Sequence, residues 1–134
     1  MTDVRLIRSP LLNHAEYADA AIVPADREVI FLSGACPLDR NGLVVAPGDI
    51  AGQTRQALAN MDEVLSRCCV GLEDVAFVRV LVVATEPEQS GAAWAVVREH
   101  FGDHEAPATL QGVPVLGYLG QLVEIEPIAA RSPR

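Results

Sequence analysis

The chain has 134 residues and a formal net charge of −8, and half of its residues are hydrophobic while only 4% are aromatic. This composition predicts one domain with a core of aliphatic side chains, and the acidic charge argues against nucleic acid or an anionic membrane as a partner. The sequence has no lysine, which excludes Schiff-base chemistry at that residue, and no phosphate-binding glycine loop, so we expect no organic cofactor.

The cysteines and the N-terminal residues favour a cytoplasmic protein. The three cysteines are Cys36, Cys68 and Cys69, and an odd number with two adjacent residues is poor geometry for a disulfide framework. Residues 1–5 begin acidic and lack the charged-then-apolar pattern of a signal peptide. No apolar run is long enough to span a bilayer.

Three short strands are predicted before the first helix. Residues 4–8 alternate and suit an edge strand, residues 18–23 form a second, and the β-branched and aromatic run 29–33 stops at Gly34. Residues 37–48 are rich in turn formers and predict a loop.

The strongest helical signal follows Asp49, a good N-cap, and runs to about Cys69, with Gly71 expected to end the helix. One stripe of 3.6-residue period contains Ile50, Ala57, Leu58, Met61, Val64, Leu65 and Cys68.

The second half of the chain predicts a strand, a helix and two strands. Residues 75–84 are almost continuously apolar, as in a strand buried on both faces. Pro87 opens a helix that ends at Gly102, and strands follow at 108–115 and 121–130. The order is β-β-β-α-β-α-β-β. Two helices can cover only one face of such a sheet, so the other apolar face predicts self-association.

Glu124 and Glu126 are the clearest candidate acid and base groups. They lie two apart on a predicted strand, so both side chains project to one face, about 7 Å apart. The alternative is structural ion pairing with arginines such as Arg5, Arg8 or Arg79, which the residues alone favour.

Cysteine and histidine chemistry is less well supported. Cys36 follows Gly34 closely and could face a cleft, but no activating base is evident, so a small buried hydrophobe is favoured over a nucleophile. His100 and His104 are four apart. Gly102 interrupts that helix and a third ligand is lacking, so we expect no metal.

Several segments, in order and spacing, resemble the Rid family, also called YjgF or endoribonuclease L-PSP. They are residues 29–34, 48–58, the strand from Val75, Phe101-Gly102, Pro107-Ala108 and 122–130. The resemblance implies a single domain over residues 1–134 with a chorismate-mutase-like α+β fold, in which two helices lie on one face of a β-sheet. It also implies a homotrimer whose sheets surround a central barrel, with ligand clefts between neighbouring subunits.

The activity implied by the resemblance is hydrolysis of imines and enamines, such as 2-aminoacrylate, to ketones with release of ammonia. The family's water-positioning glutamate corresponds to Glu124, its serine to Ser33 and its tyrosine to Tyr17. Its substrate-binding arginine, directly after Pro-Ala, is replaced by Thr109. Trp94 occupies a position that is often asparagine in the family, which implies a substrate-binding role, whereas its helical spacing alone favours core packing. Further expected substrate-binding residues are Gly34, Gln111, Cys36 and His14.

Thr109 makes the substrate the main open question. Threonine cannot form the bidentate, charged contact of a guanidinium with a carboxylate, so a less acidic substrate is the simpler expectation and activity of the 2-iminobutanoate or 2-iminopropanoate type is doubtful. Another arginine could compensate, but the sequence singles out none. The alternative function is a non-catalytic trimer that binds a small ligand or a partner protein. Ribonuclease activity fits poorly with the charge of −8.

Overall fold

The computed structural model describes residues 3–134, and Met1 and Thr2, part of the N-terminal segment considered above, lie outside the described residues. In chain order the elements are β1 (Arg5–Ile7), β2 (Ala20–Ile22), β3 (Glu28–Phe31), α1 (Ile50–Arg67), a 3₁₀ turn (Leu72–Asp74), β4 (Val75–Val83), α2 (Pro87–Phe101), β5 (Ala108–Val113) and β6 (Val123–Arg131). This confirms the predicted order of strands and helices.

The strands form two sheets. β1 and β2 pair antiparallel as a two-stranded sheet, and the main sheet has the order β3-β6-β4-β5. β4 pairs parallel with β5 and antiparallel with β6. The crossover from β4 through α2 to β5 is the helical connection that a parallel pair requires.

Both helices lie on one face of the main sheet, and the core fills the space between them and the sheet. The largest contributions come from Leu58, Met61 and Leu65 of α1, Val78, Val80 and Val82 of β4, Val97 of α2, and Val123 and Ile125 of β6, all at most 2% exposed. This α+β arrangement is the one predicted. Among residues 3–134, neither helix is long and apolar enough to cross a membrane.

The opposite face of the main sheet is called here the outer face, and no helix within residues 3–134 covers it. Because side chains alternate along a strand, it carries Phe77, Arg79 and Leu81 of β4, Thr109 and Gln111 of β5, and Glu124, Glu126 and Ile128 of β6. These side chains are half-buried or exposed. The expectation that residues 75–84 are buried on both faces is therefore wrong for this face, and the exposed Arg79 interrupts its apolar run.

The ends of α1 test the local signals. Asp49 caps the helix as predicted, since its Oδ1 accepts a hydrogen bond from the Gly52 N–H at 2.9 Å. The predicted C-terminus is too late, because the helix ends at Arg67 and Cys68 is the C-cap. Cys69 adopts a left-handed conformation with φ of 59° and turns the chain before Gly71. α2 does end at Gly102, as predicted.

Candidate functional site

Glu124 lies in a notch made by Gly34. The segment after β3 pairs with β6 through Ala35, whose N–H donates to Ile125 O at 2.7 Å and whose carbonyl accepts from Ile125 N at 3.0 Å. This pairing places Gly34 against the Glu124 side chain. A Cβ atom on Gly34 would lie 2.5 Å from Glu124 Oε2, so only glycine leaves room for the carboxylate there.

Two side chains hold one oxygen of that carboxylate. Cys36 Sγ donates to Glu124 Oε1 at 3.4 Å, and Gln121 Nε2 donates to the same oxygen at 3.4 Å. Among residues 3–134, no hydrogen bond engages Glu124 Oε2, so this oxygen remains able to bind water or substrate. Glu124, Gly34, Cys36 and Gln121 are called here the acid group.

The environment of Cys36 opposes a nucleophilic role. Burial raises the pKa of the Cys36 thiol to about 11, and the hydrogen bond to Glu124 and the negative charge of Glu124 add to this rise. A thiol must ionise before it attacks an electrophile. Cys36 is therefore a neutral hydrogen-bond donor to Glu124 at neutral pH.

Helix α1 fixes the two segments that flank Glu124. The buried Gln53 donates to Gly120 O at 3.0 Å and accepts from Leu122 N at 2.8 Å. Two turns further along α1, Asn60 Nδ2 donates to Cys36 O at 2.8 Å and to Leu38 O at 2.9 Å. The helix thus holds both chain segments that position the acid group.

Ser33 is exposed and lies at the edge of this group. With Gly34, Cys36 and Tyr118 it lines a crevice of about 480 Å³ that continues over apolar residues of β3 and α1. Its hydroxyl makes no hydrogen bond among the residues that the structure describes. Ser33 is therefore available to a ligand that enters this crevice.

A second cluster, called here the aromatic group, contains Tyr17, Trp94, Ala108 and Leu110. These four residues line a cavity of about 240 Å³, and the Tyr17 and Trp94 rings meet edge to face with centroids 6.1 Å apart. The loop that carries Tyr17 is held by Arg8, whose Nη1 donates to the carbonyl of Tyr17 at 2.9 Å.

His14 lies on the same loop and is exposed. It makes no hydrogen bond or ion pair within the described part of the chain. No hydrogen bond or ion pair therefore joins its imidazole to either cluster within that part of the chain.

Thr109 and Gln111 project onto the outer face, on the side of the sheet where Glu124 lies. Strand register places Gln111 opposite Leu81, which in turn is opposite Glu124. Thr109 is exposed and lies opposite Arg79, which is opposite Glu126. Arg79 Nη1 and Glu126 Oε2 are 3.3 Å apart, so ion pairing describes Glu126 and not Glu124.

The predicted site residues thus fall into separate places within one chain. Glu124, Gly34, Cys36 and Ser33 lie together, and Tyr17 lies with Trp94. No hydrogen bond, ion pair or ring contact joins the acid group to the aromatic group among residues 3–134. Sequence reasoning missed Gln121. It named Arg79 as a possible ion-pair partner of the two glutamates, and Arg79 pairs with Glu126.

His100 and His104 contact different partners. His100 Nε2 lies 2.8 Å from Asp62 Oδ2, and His104 Nε2 lies 2.8 Å from Val75 O. Within residues 3–134, no group of three or more His, Cys, Asp or Glu side chains is placed to hold a metal ion.

Fold and site together define a small α+β protein with two helices on one face of a mixed sheet and a carboxylate held in a glycine notch at the other. Residues 9–131 match the family described as Endoribonuclease L-PSP. The chain therefore belongs to the endoribonuclease L-PSP family, also called the Rid or YjgF family.

Individual relatives agree with this assignment. The Rid-family protein YyfB of Yersinia pestis superposes with a TM-score of 0.88 at 27% identity, over 96% of this chain and 99% of that one. The RutC family protein PH0854 of Pyrococcus horikoshii is 31% identical over 77% of this chain and 79% of its own length. The 3-aminoacrylate deaminase RutC of Acinetobacter baylyi is 42% identical over 60 residues, which are 43% of this chain and 48% of the RutC chain.

Proposed function

We propose that this protein is a hydrolytic deaminase that converts small imines or enamines to carbonyl compounds and ammonia. The observation that carries the proposal is the Glu124 carboxylate, with Oε1 held by Cys36 and Gln121 and Oε2 left for water. Family membership supports the same reaction class, since one relative is a 3-aminoacrylate deaminase.

Hydrolysis of an imine requires one group that transfers a proton in each of two steps. In the first step, Glu124 Oε2 accepts a proton from water as the water oxygen bonds to the imine carbon, and the proton is returned to the nitrogen to give a neutral carbinolamine. In the second step, the carboxylate takes the hydroxyl proton and passes it to the nitrogen as the C–N bond breaks. Ketone and ammonia leave, and the carboxylate is regenerated. An enamine enters by moving one proton from its nitrogen to carbon.

Other residues orient the substrate in this proposal. Tyr17 and Ser33 supply hydroxyl groups, and backbone N–H groups near Gly34 face the negative charge that develops on oxygen. Gln111, Trp94, Cys36 and His14 shape the surrounding cleft. Because Tyr17 and Glu124 belong to separate clusters within one chain, the complete cleft combines the acid group of one subunit with the aromatic group of its neighbour in a homotrimer.

The proposed cellular location is the cytoplasm. All three cysteines are unpaired, and Cys36 needs its thiol proton to donate to Glu124. A reducing compartment maintains that state. No nucleic acid takes part in this proposal.

The decisive variant is Glu124→Gln, which preserves size and hydrogen bonding but removes the charge that accepts the proton. We expect ammonia release from 2-aminoacrylate or 3-aminoacrylate, generated in situ, to fall by about 10²–10⁴, the usual contribution of a positioned acid–base group. Fold and assembly should be retained, as circular dichroism and light scattering would show.

Glu126→Gln is the matched control, because it removes a carboxylate from the same strand face two residues away. Its rate constant kcat should stay near that of the wild type. Unchanged turnover in a folded Glu124→Gln protein would contradict the proposed role. A wild-type protein that binds these compounds without releasing ammonia would instead support a ligand-binding trimer.

A further inference from the structure

The outer face carries a row of three side chains that run across three strands. Thr109 of β5 is directly opposite Arg79 of β4, and Arg79 is directly opposite Glu126 of β6. Neighbouring strands lie about 4.8 Å apart. Thr109 occupies the position where the family has its substrate-binding arginine. Arg79 therefore lies one strand away from that position, on the same face of the sheet.

Arg79 has unused capacity to bind an anion. Its guanidinium has five N–H donors, and the one hydrogen bond it makes within residues 3–134 runs from Nη1 to Glu126 Oε2 at 3.3 Å. The guanidinium carbon lies 5.7 Å from the centroid of the Phe77 ring, a cation–π contact that steadies the group without occupying its donors. The side chain is 45% exposed in the single chain.

Arg79 is also the one cation on this face among the described residues of β4, β5 and β6. The other arginine of these strands, Arg131, donates to Cys68 O at the end of α1 and to Glu28. The remaining charged groups of the outer face are Glu124 and Glu126. Among the described residues of β4, β5 and β6, Arg79 is therefore the positive group that shares a sheet face with Glu124.

We propose that Arg79 binds the carboxylate of the substrate, so that this site takes carboxylate-bearing imines or enamines. The inference rests on the proposed deaminase function and names the substrate class. Glu124 and Arg79 are diagonal neighbours on adjacent strands, about 7–8 Å apart between their Cα atoms. A 2-imino acid held by Arg79 therefore lies on the same face of the sheet as Glu124, one strand away. Thr109 offers a hydroxyl on the other side of the guanidinium.

With Arg79 in the same row, the absence of arginine at position 109 does not by itself predict a less acidic substrate. Loss of arginine from β5 favours a less acidic substrate only if no other guanidinium reaches the same row. The strand register singles out a substitute that the sequence could not identify.

The test is binding of pyruvate, the keto acid formed from 2-aminoacrylate, compared with pyruvamide, its uncharged and nearly isosteric amide. Calorimetric titration should show tighter binding of pyruvate to the wild type. Arg79→Gln should weaken pyruvate binding by about 10- to 100-fold, the range for a charged hydrogen-bonded contact. Pyruvamide binding should not change.

Two controls separate anion binding from structure. Glu126→Gln removes the same ion pair but keeps Arg79, so it should leave pyruvate binding unchanged or tighter. Arg67→Gln removes an exposed arginine that is paired with Glu63 on α1, and it should have no effect. If Glu126→Gln weakened pyruvate binding as much as Arg79→Gln, the ion pair would be structural and the inference would be overturned.

The same measurements keep this inference distinct from the proposed function. Glu124→Gln should still bind pyruvate while losing ammonia release. Equal binding of pyruvate and pyruvamide by the wild type, or unchanged pyruvate binding by Arg79→Gln, would overturn the role of Arg79. Loss of ammonia release in Glu124→Gln would still uphold the deaminase proposal in either case.

Discussion

At the scale of single residues, the main feature is how closely the Glu124 carboxylate approaches the backbone at Gly34. A side chain at position 34 would collide with Oε2 of that carboxylate. The glycine is needed here for space and not for a left-handed backbone conformation, since the φ of Gly34 is not positive. The sequence identifies the glycine and the glutamate, but only the pairing of Ala35 with Ile125 shows that they touch.

The thiol of Cys36 gives a prediction about pH. Burial, with help from Glu124, raises its pKa from 9.0 to about 11, so we expect little reaction with iodoacetamide at pH 8 and a rise in rate as the pH approaches 11. Mass spectrometry of pulse-labelled protein measures this site by site, with the exposed Cys69 as the internal reference. Labelling of Cys36 as fast as Cys69 at pH 8 would contradict the prediction.

The same shift affects stability in a definite direction. The folded state binds the thiol proton more tightly than the unfolded state, so the contribution of Cys36 to the free energy of unfolding is complete below about pH 9 and is lost as the pH rises toward 11.

Glu124→Gln removes the negative charge beside Cys36 and should speed Cys36 labelling at pH 9. Part of the shift should remain, because burial is its largest cause.

At the scale of elements, α1 both packs the core and aligns the site. Its apolar face buries Leu58, Met61 and Leu65, while Gln53 and Asn60 reach the two segments beside Glu124. Gln53 is fully buried, and its amide satisfies the Leu122 N–H and the Gly120 carbonyl. This dual use explains a polar side chain inside an otherwise apolar interface.

Gln53→Ala should therefore destabilise the protein by about 1–3 kcal/mol, the cost of leaving buried backbone groups without partners. Urea unfolding at fixed protein concentration measures the free energy of unfolding. Arg55→Ala, an exposed site on the same helix, is the control and should change it by less than about 0.5 kcal/mol. Equal effects of the two variants would show that the Gln53 contacts are not needed.

The sequence predicted the helices and strands better than it predicted which residues pair between them. The period of the apolar residues and the Asp49 cap identified α1, and β-branched runs identified β3 and β4. The end of α1 was misplaced because Cys69 takes a left-handed conformation that glycine usually adopts. The pairing of Arg79 with Thr109 was out of reach, since register depends on contacts between segments far apart in the chain.

At the scale of the whole molecule, the outer face requires an explanation. Phe31 is 77% exposed, and Phe77, Leu81 and Ile128 are only half-buried. We predict a homotrimer in dilute solution, because assembly would cover this apolar surface. Light scattering at micromolar concentration should give about three times the chain mass of 14.3 kDa. A monomeric mass would contradict the prediction.

A mixing experiment tests whether subunits share sites within that trimer. Tyr17→Phe and Glu124→Gln proteins, each of low activity alone, should regain turnover after they are unfolded and refolded together. Random exchange places both intact residues in about a quarter of the clefts if each cleft draws on two subunits. No recovery in mixed trimers would show that both residues act within one subunit.

The opposition of Arg79 and Thr109 also bears on how relatives of this protein are compared. Two positions that face each other across a strand pair can exchange a charge while the surface that a ligand meets stays much the same. Alignment of sequences column by column records such an exchange as a lost residue at one place and an unrelated change at another. The alignment positions of Arg79 and Thr109 can instead be compared together. Family members that lack arginine after Pro-Ala then divide into two groups. Those with a cation on the facing strand are the ones to assay with acidic substrates.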